Sequence, residues 1–177
     1  MKKCNISDTV NFIRSVYNTE NDIHLHEPRF IGNEKKYLLD TIESTFVSSV
    51  GPYVDQFERE MSIITDTERA IAVANGTCAL QVSLELAGVK SGDEVLTQAL
   101  TFVATANSIS YLRATPIFID VDLDTMGLSP KALKEFLNLN AELRNDGSYN
   151  KKTGKKISAC MPMHTFGFMC RIDEIVE

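Results

Sequence analysis

No stretch of this chain approaches the roughly 18 unbroken apolar residues that a membrane-spanning helix requires. No membrane partner is therefore expected. The opening MKKCNISDTVNFIRS has two lysines but no apolar run behind them, so no secretory leader is expected either. Cysteine is sparse. Cys4, Cys78, Cys160 and Cys170 form no C-x-x-C pair, which argues against a disulfide framework or a zinc knuckle and for reduced thiols in a cytoplasmic protein. His24 and His26 share a loop but lack a third ligand at zinc spacing, so no metal site is expected. Positive charge is also short: 18 Lys and Arg stand against 24 Asp and Glu, a net charge of -6. The bulk field of such a chain attracts no phosphate backbone, which sets nucleic acid aside while leaving room for a local anion site. Repeats and low-complexity tracts are absent. What remains is 177 residues, 44% of them hydrophobic, enough for one globular domain of ordinary size with a real core.

The first third reads as helices joined by loops. Val10, Ile13, Val16 and Tyr17 recur at helical spacing within 7–17. NEKKYLLDTIESTF places Tyr37, Leu38, Ile42 and Phe46 on one face, and YVDQFEREMSIIT does the same with Val54, Phe57, Met61 and Ile64. From Arg69 the texture changes. AIAVAN is a short continuous apolar run, as expected of a strand buried on both faces. TCALQVSLELAG is a helix that stops at Gly88. A second strand in SGDEVLTQA, a helix in TFVATANSISYLRA and a third strand in TPIFIDV follow. Ser129 then caps a helix with Pro130 in its first position, and Leu133, Phe136, Leu137 and Leu143 are its expected buried stripe. The lysine-rich NDGSYNKKTGKK reads as an exposed loop, ISACMPMH as a fourth strand and RIDEIVE as the start of a helix. Strands alternating with helices predict an α/β fold with a mainly parallel sheet.

Three places carry candidate chemistry. Asn75-Gly76-Thr77 joins the apolar run to a helix. The first-turn N–H groups lack helical partners, the helix dipole adds positive character, Gly76 permits close approach and the Thr77 hydroxyl can donate once more. The same tripeptide also suits a plain turn, and it is neither a P-loop nor a G-x-G-x-x-G fingerprint. Phe102 follows the second strand, at the edge where open α/β sheets hold ligands, and its ring could cover a flat heteroaromatic ligand or simply start a core helix. His164 in MPMHTFGF closes the fourth strand at that same edge, as a structural or an active-site histidine.

FVSSVGPYVDQFERE, AVANGTCALQVSLELAGVKSGDEVLTQALTFVATANSISYLRATPIFIDVD and MPMHTFGFMCRIDEI together resemble the DegT/StrS-type sugar aminotransferases, pyridoxal-phosphate enzymes of fold type I. The resemblance runs from about Pro28 to the end of the chain and rests on several ordered blocks. HEPRFIGNEKKYLLDTIESTFVSSVG is similar to the branch that aminates C4 of UDP-linked 4-keto-6-deoxy-N-acetylhexosamines, in legionaminic acid and bacillosamine routes. The resemblance implies that 1–66 is a helical segment packing on a large domain whose first part is 67–177. It implies that Gly76, Thr77 and the Cys78 amide seat the cofactor phosphate, that Phe102 stacks on the pyridine ring, and that His164 lies at the floor of the site with no role assigned. It also implies glutamate as amino donor, a nucleotide-sugar substrate and a homodimer with active sites at the subunit interface. The acidic partner of the pyridinium nitrogen, the Schiff-base lysine and the small C-terminal domain belong to blocks beyond Glu177. None of Lys90, Lys131, Lys134, Lys151 or Lys155 stands in such a block, so no catalytic residue is assigned and the chain by itself is expected to be inactive. Two alternatives stay open on these residues: a deoxysugar dehydratase of the same family, with histidine in the lysine's place, and a non-catalytic binder of a phosphorylated ligand.

Overall fold

The computed structural model describes residues 5–24 and 27–177, so Cys4 and His26 lie outside the described residues. The chain divides into two compact units, one through Ala70 and one from Ile71 to Glu177.

The first unit consists of α1 (Ile6–Tyr17), α2 (Glu34–Ser44) and α3 (Pro52–Ile64). Asn5 opens α1 by accepting the Ser7 N–H at 3.2 Å, and Pro52 opens α3 at a position where a missing N–H costs nothing. Tyr37 of α2 and Tyr53 of α3 lie with ring centroids 5.1 Å apart, and the Tyr53 hydroxyl donates to Asp40 at 3.0 Å. The predicted stripes of α1 and α3 lie on their helices. α2 ends at Ser44 with Thr45 in the left-handed region, so Phe46 falls beyond the helix whose face its spacing predicts it to share. No residue of these three helices is buried within the unit.

The second unit is a three-layer arrangement around one sheet. It comprises α4 (Gly76–Leu86), β1 (Glu94–Gln98), α5 (Val103–Tyr111), β2 (Thr115–Ile119), α6 (Pro130–Asn140), β3 (Ala141–Arg144), β4 (Gly147–Asn150), β5 (Lys156–Met161) and α7 (Ile172–Val176). The strand order is β2-β1-β5-β4-β3. β2, β1 and β5 are parallel, with Glu94 opposite Thr115 and Gln98 opposite Ile119 on one side of β1. β4 and β3 extend the sheet antiparallel. All five residues of β1 are buried, as its central place demands.

Alternation along β1 divides the core. Val95 faces Leu84 of α4 and Ile109 of α5, while Leu96 faces Leu128 and Leu133, the latter on α6. Each such side chain, fully buried, contributes about 1.5–3 kcal/mol relative to exposure. The helix ends follow local chemistry. Ser129 Oγ accepts the Ala132 N–H at 3.3 Å with Pro130 next in line, and Gly88 ends the α4 segment at φ +90°, a conformation that costs glycine little.

Three further expectations are corrected. Residues 69–74 form no strand, and Ile71 is 82% exposed. An apolar run becomes a buried strand only where it pairs with a sheet edge under a cover, and composition alone supplies neither. The helix after Ser129 ends at Asn140, and Leu143 is an exposed residue of β3 instead of part of a buried stripe. The lysine-rich segment is no free loop. A two-residue turn at Asn145-Asp146 reverses the chain into β4, and Gly147 sits at φ +140° with Lys156 pressed against it. Asn150 then donates to Glu94 Oε2 at 2.8 Å, and the Thr153 hydroxyl donates to Glu94 Oε1 at 2.7 Å. Those two bonds satisfy a carboxylate that is 1% exposed and stitch the hairpin to the sheet.

Candidate functional site

β1 is followed by a helical crossover to β2 on one side, and the chain returns to β5 on the other side. The strand order therefore reverses between β1 and β5. A crevice outside the carboxyl ends of two such strands is where open α/β sheets take ligands.

A cleft of about 570 Å³ opens at that place. Gly76, Thr77, Ala79 and Leu80 of α4 form one wall, Phe102, Ala104 and Thr105 another, and Met161-Pro162-Met163 the third. The lining is largely apolar, with polar groups concentrated at the helix start.

Asn75 fixes that start. Its side chain accepts the Cys78 N–H at 2.9 Å, the bond of an N-cap, and its backbone is extended where the helix begins. The Cys78 amide is thus already engaged, contrary to its expected availability for an anion. The Gly76 and Thr77 amides, in contrast, are first-turn donors with no carbonyl a turn earlier to receive them. Nothing lies within 4 Å of the position a Cβ would take on Gly76, so the approach to the backbone is open.

Phe102 is 74% exposed and precedes the first residue of α5. It is not the core phenylalanine that its apolar character could suggest. Its ring stands as a wall of the cleft. Thr101 ties its loop to the β5 side: its hydroxyl lies 2.7 Å from the Thr105 hydroxyl and 3.1 Å from Met163 Sδ.

His164 is not among the cleft-lining residues. β5 ends at Met161, and His164 sits three residues later, exposed, with Nδ1 accepting the Cys170 N–H at 3.1 Å. That bond places the ring proton of a neutral imidazole on Nε2. Cys170 itself is buried, and burial pushes its thiol pKa up. The next loop is moored electrostatically. Arg171 pairs with Asp122, Asp124 and Glu174, and its hydrogen bond holds the Asp124 carboxyl below the ordinary range. Among the described residues, no three His, Cys, Asp or Glu side chains gather as a metal site, and no helix is long and apolar enough to cross a membrane.

The structure thus brings Gly76, Thr77 and Phe102 together, leaves Cys78 behind them and sets His164 to one side. Sequence reasoning missed Met161 and Met163 as cleft walls and Asn75 as the cap, although an asparagine directly before a helix is a cap signal. It also missed Gln98, the buried polar residue that ends β1.

The DegT/DnrJ/EryC1/StrS aminotransferase family matches residues 28–177. GDP-perosamine synthase of Caulobacter vibrioides is 34% identical over 155 residues, covering 88% of this chain and 38% of its own length. EpsN of Bacillus subtilis, whose name describes a pyridoxal phosphate-dependent aminotransferase, is 36% identical over 155 residues, covering 88% of this chain and 37% of its own length. Among solved structures, the aminotransferase from Psychrobacter cryohalolentis superposes with a TM-score of 0.66 at 28% identity, over 84% of this chain and 34% of that one. The chain thus spans less than two fifths of the length of these relatives.

Proposed function

Because the chain belongs to the DegT/DnrJ/EryC1/StrS aminotransferase family, we propose that its cleft seats pyridoxal phosphate as part of a nucleotide-sugar transaminase. The observation that carries this reading is the meeting of an open helix start, Gly76-Thr77, with the exposed face of Phe102 at the point where the strand order reverses. The donor set fits the group. The Gly76 and Thr77 amides and the Thr77 hydroxyl present three donors to a phosphate, and the α4 dipole favours its negative charge. The Phe102 ring offers a flat surface, while Leu80, Met161 and Met163 keep water from the remaining walls. When bound, pyridoxal phosphate supplies an electron sink through which an amino group is carried from donor to ketone.

For the whole protein we read the donor as glutamate and the acceptor as a nucleotide-linked keto-deoxysugar, with the UDP-linked 4-keto-6-deoxy-N-acetylhexosamine as the first substrate to try. We read the assembly as a cytoplasmic homodimer. The blocks in 26–51 that resemble the UDP-sugar branch support that choice of substrate. The GDP-perosamine synthases among the relatives make the matching GDP sugar the necessary comparison.

The test is a titration of the chain with pyridoxal phosphate and, separately, with pyridoxal, followed by absorbance. Binding of the phosphorylated form only is expected. Thr77→Val is expected to weaken it about tenfold, the effect of one lost hydrogen bond to a charged group. Equal binding of both forms, or an unchanged Thr77→Val, would reject the phosphate seat. In the whole protein, amination of a GDP-linked but not a UDP-linked 4-keto sugar would reject the UDP assignment.

A further inference from the structure

Gln98 is the last residue of β1 and is fully buried. Its side-chain amide does not serve the neighbouring strands. Nε2 lies 2.9 Å from the Leu100 carbonyl, 3.2 Å from the Met126 carbonyl and 3.0 Å from the Thr165 hydroxyl. Oε1 accepts the Leu128 N–H at 2.8 Å and the Met163 N–H at 3.1 Å. The Thr165 hydroxyl in turn donates to the Met126 carbonyl at 2.7 Å. All three loops beyond the carboxyl ends of the parallel strands therefore converge on one amide.

Two of those loops form walls of the cleft. Leu100 stands two residues before Phe102, and the Met163 amide is held directly. The Thr101 contact to Met163 Sδ joins the same two loops a second time. Only a carboxamide meets the demand at this point. It has N–H donors for the carbonyls of Leu100 and Met126 and oxygen lone pairs for the amides of Leu128 and Met163. A carboxylate has no donor, and a hydrocarbon has neither.

We propose that Gln98 is the positioning residue of the cleft, fixing the Phe102 and Met163 walls at the separation a flat ring requires. The proposal rests on the reading of the cleft as a pyridoxal phosphate seat. Its loop-locking half is measurable without any ligand. A residue that served stability alone would lower the melting temperature without altering affinity in the folded protein.

The experiment compares the parent chain with Gln98→Met, which keeps the shape and removes every polar contact, at a temperature where circular dichroism shows both folded. Amide hydrogen exchange is read at Leu128 and Met163, with Ile109 in α5 as the internal control, and pyridoxal phosphate affinity is read by absorbance. Gln98→Met is expected to lose at least tenfold in protection at Leu128 and Met163, little at Ile109, and at least tenfold in affinity. Unchanged protection at Met163, or unchanged affinity in the folded variant, overturns the proposal. A parent chain that binds no pyridoxal phosphate overturns the functional reading instead, and the exchange result alone then decides whether Gln98 locks the loops. Should Gln98→Met fail to fold, Thr165→Val removes one partner of the amide. It is expected to reduce protection at Met163 and affinity each about threefold, and no change in either overturns the proposal.

Discussion

Asn75→Ala separates capping from ligand binding at the start of α4. In the parent the Asn75 side chain makes one 2.9 Å bond to the Cys78 N–H in a solvent-exposed setting. Removing an N-cap side chain costs about 0.5–2 kcal/mol, and the exposure of the bond points to the middle of that range, about 1 kcal/mol. For a unit of this size, about 1 kcal/mol corresponds to a fall in melting midpoint of roughly 4–8 °C. The helix itself should persist, because Leu84 on its inner face remains packed against Val95 and Ile109. The cofactor affinity should move differently. The substitution frees the Cys78 amide, so a phosphate at the Gly76-Thr77 turn meets one more unpartnered donor. Binding at least as tight as the parent's is expected, and at about 100 times the dissociation constant the ligand should restore roughly 2.7 kcal/mol, more than the lost cap. Thermal melts with and without saturating pyridoxal phosphate provide the assay. Coincident midpoints of the two free proteins would show that the cap contributes nothing. A tenfold loss of affinity in the folded variant would show that Asn75 is a ligand and not a competitor for the Cys78 amide.

Gly127→Ala would press its new Cβ into Cys170, whose Cα lies 3.0 Å from that position, and an overpacking cost of about 1–3 kcal/mol is expected in urea unfolding. Glu94→Ala removes the acceptor of both the Asn150 and Thr153 bonds. A loss on the order of 3 kcal/mol, with selective loss of exchange protection in 147–155, is expected, whereas uniform loss across the unit would contradict a local stitch. The Asp124–Arg171 pair predicts an acid response. The hydrogen bond from Arg171 lowers the Asp124 pKa below its ordinary 3.8, so the stabilisation is fully present above that value and is lost as the pH falls through the lowered one. Protection at 120–128, relative to the intrinsic exchange rate at the same pH, should therefore fall below about pH 3.8 in the parent, and Arg171→Met should show that reduced protection already at neutral pH.

The elements legible in the sequence are those fixed by neighbours in the chain. Ser129-Pro130 and Gly88 mark helix ends through contacts within a few residues, and α4, α5 and α6 follow their apolar periodicity. The misread segments depend on distant partners. Residues 69–74 have the composition of a buried strand, but burial is supplied by other elements. β4 reads as polar because its pairing with Lys156 and Ile157, and the carboxylate that receives Asn150, lie elsewhere in the chain. Within the candidate site, Gly76 and Thr77 announce themselves by local chemistry. Gln98 does not, because its partners at Met126, Leu128, Met163 and Thr165 stand 28 to 67 residues away.

The central place of β1 has a consequence for how the chain emerges during synthesis. Its partner on one side, β2, begins 17 residues after Gln98, but its partner on the other side, β5, ends only at Met161, 63 residues later. At about 5–20 residues per second, translation leaves that second edge of β1 without its mate for roughly 3–13 s. Through that interval a strand with Val95 and Leu96 at its centre has one unpaired side, the condition under which nascent sheets recruit the wrong neighbour. The sheet is therefore complete only once β5 has been made, long after β1 itself.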